Sequence, residues 1–168
     1  MNPDKKIFDI SIRGTKMNMS DIISDLNIVG GNKSGKEGEL EKEIVDIIKT
    51  NTRLSDSDKW SYELSGHSLG ANQAMNILAD SIESPIMERV KDAYLFNPGI
   101  TPTHDLDVAK RATNQERFHF FLNSGDLVSN AAIAIRDGDS KSEVFYGVPG
   151  SSPMANHSID QWVTSTEV

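Results

Sequence analysis

Trp60-Ser61-Tyr62-Glu63-Leu64-Ser65-Gly66-His67-Ser68-Leu69-Gly70-Ala71-Asn72-Gln73-Ala74-Met75-Asn76-Ile77-Leu78 is the stretch whose reading decides the fold. Trp60, Tyr62 and Leu64 alternate with Ser61 and Glu63, which is the period of a strand. Ala71, Ala74, Met75 and Leu78 recur at helical spacing. Between the two lies Gly66-His67-Ser68-Leu69-Gly70, a Gly-x-Ser-x-Gly sequence. Joining a strand to a helix, it is a nucleophile-elbow pattern: the serine takes a strained turn, and the flanking glycines let strand and helix pass without a clash. Its hydroxyl then projects at the positive end of the helix, where an oxyanion is stabilised. The bare pentapeptide is a weak signal, and the strand before it and the helix after it give it weight. The alternative is a plain Gly-Ser turn feeding a helix.

Outward from this unit the two periods keep alternating. Phe8, Ile10 and Ile12 alternate with Asp9 and Ser11 in a strand that stops at Gly14. Ser20 is placed to cap a short helix over residues 21–26, with Asp21 in its first turn. Residues 30–38 read as a polar, Gly-rich loop, and Leu40, Ile44, Val45, Ile47 and Ile48 predict a helix from Glu39 to about Lys49. Ala93-Tyr94-Leu95-Phe96 reads as a buried strand ended by Asn97-Pro98-Gly99. A helix from Asp107 to Asn114 and a strand from Phe118 to Leu122 follow, the strand ending at Asn123-Ser124-Gly125-Asp126. Val144-Phe145-Tyr146 reads as a last strand, before a loop and a short helix from about Ser158 to Val163. This alternation predicts the α/β class, with a mainly parallel sheet covered by helices on both faces. Such sheets bind ligands at the carboxyl ends of their strands, where Gly14, Ser68, Asn97 and Asp126 fall. With no repeat, low-complexity tract or linker, residues 1–168 are expected to form one domain.

Composition narrows the chemistry. Hydrophobic residues make up 37% of the chain and charged residues 25%, a globular profile. The absence of cysteine excludes disulfides, thiolate catalysis and Cys-based metal sites. A formal charge of −8 disfavours nucleic acid and anionic membrane surfaces as partners, and suits neutral or zwitterionic substrates better than anionic ones. No apolar run approaches the ~20 residues of a membrane span. MNPDKKIFDI lacks the apolar stretch of a signal peptide, so the expectation is a soluble protein, with an intracellular location slightly favoured.

A serine nucleophile needs a base, and the base an orienting acid, in the chain order Ser, acid, His. Four histidines compete. His67 sits inside the elbow and is expected to pack beneath the turn; His104 precedes any convincing acid; His119 lies within a strand; His157 follows the last strand in a loop region. Among the acids, Asp126 directly follows an apolar strand at its carboxyl end, whereas Asp137 and Asp139 belong to a solvated Asp-Gly-Asp turn. The candidate set is Ser68, Asp126 and His157. Alternatives stay open for two of them: an Asx-type cap for Asp126 on residues 127–135, and a loop or helix-cap role for His157.

Four separated stretches resemble the class 3 lipases, the fungal-lipase-like branch of the α/β hydrolases. They are Ile12-Arg13-Gly14-Thr15 with Asp21-Ile22-Ile23-Ser24-Asp25-Leu26 soon after, Gly66-His67-Ser68-Leu69-Gly70, Phe121-Leu122-Asn123-Ser124-Gly125-Asp126-Leu127-Val128, and His157 just before Trp162. The resemblance implies Ser68 as nucleophile, His157 as general base and later acid, and Asp126 as its orienter. It also implies an oxyanion hole from the backbone N–H groups of Thr15 and Leu69, with the Thr15 hydroxyl assisting. Family enzymes hydrolyse acylglycerols, phospholipids or simpler esters without metal or cofactor. A lipid ester is thus the favoured substrate, and transient contact with a lipid interface is compatible with it.

The chain also departs from the family. About a dozen residues precede the Arg-Gly-Thr strand, which implies a trimmed α/β-hydrolase sheet whose edge is exposed or covered by a partner chain. The segment before the elbow is short and lacks the family's His-x-Gly-Phe-like stretch, which argues against a large lid. Met17, Met19, Ile22 and Ile23, and the apolar residues between Leu127 and Ile135, could line an acyl site or simply pack the core. Two rival functions remain: acyl transfer to an alcohol other than water by the same residues, and a noncatalytic binding or structural module that retains the fold. Oligomeric state is not legible.

Overall fold

A computed structural model describes residues 6–14, 35–50, 60–80, 87–100, 106–126 and 140–163. Strands β1 (Ile7–Ile12), β2 (Ser61–His67), β3 (Val90–Phe96), β4 (Phe118–Asn123) and β5 (Glu143–Gly147) form one sheet in the order β1-β2-β3-β4-β5, all neighbours parallel. Parallel neighbours cannot be joined by tight turns, so each connection must leave the sheet and return. Helices α1 (Gly35–Thr50), α2 (Leu69–Asp80) and α3 (Leu106–Thr113) occupy the first three connections; α4 (Pro153–His157) and α5 (Asp160–Val163) follow β5.

Strand alternation sorts the side chains onto two faces. Tyr62, Leu64, Ala93, Leu95, Phe118, Phe120 and Leu122 are buried on one of them. Ala71, Ala74, Met75 and Leu78 of α2 are buried with them in one core cluster. Two alanines let this helix lie close against β2 and β3, with α1 and α3 packed on it. Full burial of a large apolar side chain is worth roughly 1.5–3 kcal/mol, so this layer is strongly stabilising.

The opposite face is more polar and less covered among the described residues. Asp9, Glu63 and Asp92 lie side by side in register. His119 bridges Asp92 (Nε2–Oδ1, 2.7 Å) and Glu143 (Nδ1–Oε2, 2.8 Å). Tyr94 stacks on His119 at 5.0 Å; partial burial first, then the surrounding carboxylates, raise the pKa of its phenol. Towards the carboxyl end, Phe121 stacks between Phe96 (4.6 Å) and Phe145 (4.8 Å). Trp162 of α5 meets Phe96 and Phe121 edge-on, at 6.1 and 5.5 Å. Helices therefore touch both faces.

Three boundaries differ from expectation. α1 begins at Gly35, inside the stretch read as loop. β3 begins at Val90, out of the 3-10 turn Met87–Arg89, because Val90 is a core residue paired with Tyr62. His157 ends a helix, α4, rather than lying in a loop. Ser152 caps α4 by accepting from Ala155 N at 3.2 Å, and Pro153 opens it. The expected helix over residues 21–26 and its cap Ser20 lie outside the described residues, as do Met17, Met19, Ile22, Ile23 and residues 127–135. No helix among the described residues is long and apolar enough to cross a membrane.

Candidate active site

β2 passes into α2 through a single residue, Ser68. Its φ of +57° is left-handed, a conformation costing an L-residue about 1–2 kcal/mol. Three backbone bonds hold it there. Ser68 N donates to Phe96 O at 3.0 Å, and Ser68 O accepts from Asn72 N (3.1 Å) and Gly99 N (3.2 Å). The flanking glycines answer a close approach. A Cβ on Gly66 would stand 2.5 Å from the Gly70 carbonyl carbon, and one on Gly70 would run into the Ile12 carbonyl oxygen and come within 2.9 Å of Gly14 N. Strand, helix and the end of β1 cross at this point with no room for a methyl group.

Ser68, His157 and Asp126, separated by 89 and 31 residues, are joined by hydrogen bonds. His157 Nε2 lies 2.7 Å from Ser68 Oγ, and His157 Nδ1 lies 2.8 Å from Asp126 Oδ2. Relative exposures of 2%, 5% and 0% keep all three largely out of bulk water. Because an ionised Asp126 can only accept, it holds the proton on Nδ1 and turns the Nε2 lone pair toward the serine hydroxyl. Leu69 is the first residue of α2, so its N–H is among the first-turn donors that lack an intrahelical acceptor. No acidic residue in that turn offsets the positive end of the helix. Thr15 lies outside the described residues, as do His104, Asp137 and Asp139.

His67 packs at the turn, as expected, and also touches His157. Its Nε2 is 2.5 Å from the His157 carbonyl oxygen, and the two rings are 5.0 Å apart. Burial lowers its pKa, with the backbone hydrogen bond acting in the opposite sense. A recess of about 210 Å³ lies against it, lined by Ser11, Ile12, Ser65, Gly66, His67, Phe96 and Ile159.

Three asparagines form a second layer that sequence reading missed. Asn97, at φ +42°, accepts from Asn123 N (2.9 Å) and donates to Asn156 O (3.0 Å). Asn123 accepts from Gly125 N and donates to Val148 O, both at 3.1 Å. Asn156 donates to Gly125 O at 2.8 Å and accepts from Gly150 N. Asn97 was legible as a turn residue at a strand's carboxyl end, Asn123 only as a turn residue, and Asn156 not at all. Among the described residues no group of three or more His, Cys, Asp or Glu could hold a metal ion.

No family model and no curated protein matches the sequence. Solved structures do match. An esterase of Pyrococcus furiosus superposes with a TM-score of 0.57 at 11% identity, over 97% of this chain and 77% of that one. Est1E of Butyrivibrio proteoclasticus, with ferulic acid bound, superposes with a TM-score of 0.59 at 12% identity, over 98% of this chain and 87% of that one. The fold is that of the α/β hydrolases. Among the described residues its sheet has five parallel strands, which fits the trimmed version expected. At this identity the likeness is one of fold, and it does not single out the class 3 branch.

Proposed function

We propose that the protein is a carboxylic-ester hydrolase working through a serine acyl-enzyme. The observation that carries the reading is the unbroken hydrogen-bonded run from Asp126 through His157 to Ser68, set on a left-handed elbow at the start of a helix. Ser68 Oγ attacks the ester carbonyl carbon while His157 Nε2 takes its proton. The carbonyl oxygen becomes an alkoxide, held by the Leu69 N–H and by the Thr15 N–H and hydroxyl. The imidazolium, steadied by Asp126, returns the proton to the leaving alcohol as the C–O bond breaks. Water deprotonated by His157 then cleaves the acyl-enzyme, releasing the acid and restoring Ser68.

Three features bear on the substrate. The fold neighbours include a protein named an esterase and one that binds ferulic acid, a carboxylic acid. The resemblance to class 3 lipases favours a lipid ester, acylglycerol or phospholipid, and the charge of −8 favours a neutral or zwitterionic one.

Fluorophosphonate labelling followed by peptide mass spectrometry tests the reading. The label is expected on Ser68 alone, and Ser68→Ala should lose it together with ester turnover, a fall of roughly 10³-fold or more. A purified Ser68→Ala protein that still turns over ester would sink the assignment. A series of neutral esters of increasing acyl length separates lipase from short-chain esterase.

A further inference from the structure

Neither the proposed base nor its acid sits on a strand. Asp126 follows a turn after β4, and His157 ends a helix of five residues. Such segments do not hold a side chain to the few tenths of an ångström that proton transfer requires. We propose that Asn97, Asn123, Asn156 and His67 are positioning residues, a brace of three buried asparagines and a partly buried histidine that fixes His157 and Asp126 to the carboxyl ends of β2, β3 and β4. The inference rests on the reading of Ser68, His157 and Asp126 as the reacting set.

The carbonyls of the consecutive residues 156 and 157 are gripped by different strand ends, Asn156 O by Asn97 beyond β3 and His157 O by His67 at the end of β2. Asn156 in turn reaches Gly125 O, the residue before the acid. Asn97 also receives Asn123 N, so one side chain ties the base loop to the acid loop. Gly125 fits this contact closely, since a Cβ there would collide with the Asn156 amide.

The residue type follows from the chemistry. Each of the three sites needs a donor and an acceptor on one short side chain, which an amide supplies and a carboxylate does not. Exposures of 0% for Asn97 and Asn123 and 5% for Asn156 leave little water to replace a lost partner. Asparagine also tolerates the left-handed backbone at position 97 better than most residues.

The test follows the rate of Ser68 labelling by a small fluorophosphonate, with circular dichroism to establish folding and the proton resonance of the His157–Asp126 hydrogen bond as a signature. Asn97→Gly keeps the backbone conformation and removes both side-chain bonds. The folded variant is expected to label about 10²-fold more slowly and to lose or broaden the resonance. His67→Gln, which can still donate to His157 O, should label within a few-fold of the parent, while His67→Phe should be slowed about 10²-fold. Should Asn97→Gly fail to fold, the His67 pair decides alone. Parent-like labelling in His67→Phe, or equal rates for the two His67 variants, overturns the brace. An unlabelled parent protein instead overturns the Ser68 reading and the brace with it.

Discussion

At the scale of the residue, pattern and burial divide the work between what can be read and what cannot. Ser68 and Asp126 follow periodic strands, so their places at strand ends follow from local sequence; His157 was legible only as lying beyond the last expected strand, and the structure brings the three together. Asn97 and Asn123 have the composition of exposed turns, yet both are fully buried. The side-chain partners of Asn97 lie 26 and 59 positions away, a distance that local pattern does not encode. His67 leads to a testable consequence. Its folded pKa lies below the ordinary 6.5 because burial disfavours the charged ring; His157, Asp126 and Asp160 are the titratable groups that act on it. Below about pH 6.5 the unfolded chain therefore binds more protons at this position than the folded one, so its linkage term favours unfolding as the pH falls. Urea midpoints of the parent are expected to drop more steeply from pH 7 to pH 5 than those of His67→Gln. Parallel curves would show that His67 does not titrate between the two states.

Elements were legible in proportion to their length. The strands and the helices α1, α2 and α3 each carry at least one full hydrophobic period, and their positions agree with expectation to within a few residues. α4 has five residues and holds too little pattern to register as a helix; its signature is the Ser152-Pro153 start. Nor does periodicity show what ties neighbouring strands on the open face. There His119 spans Asp92 on β3 and Glu143 on β5 from its place on β4. Glu143 is 61% exposed and Asp92 34%, so water screens much of the charge interaction. His119→Ala is accordingly expected to cost about 1 kcal/mol, counting the lost stacking on Tyr94. Thermal melts of His119→Ala and of the Asp92→Asn, Glu143→Gln double variant check this. A loss beyond about 3 kcal/mol would mean that the bridge behaves as a buried ion pair.

For the whole molecule, the α/β class and the parallel sheet were readable because alternating periods leave few other arrangements. The strand order is simpler than it needed to be: every strand pairs with the next one in the chain. Each described strand after the first can therefore dock on an edge already laid down, with no earlier gap to fill. Ser68 is made early, and its proposed base arrives after β5, the last described strand. A purified chain truncated between β5 and His157 is expected to hold the serine on its elbow and yet resist the fluorophosphonate that the full chain takes up. Labelling of the truncated chain at the parent rate would refute this. In the proposed reading, the place of His157 beyond β5 thus keeps the hydroxyl of Ser68 silent until the strands beneath it have been laid down.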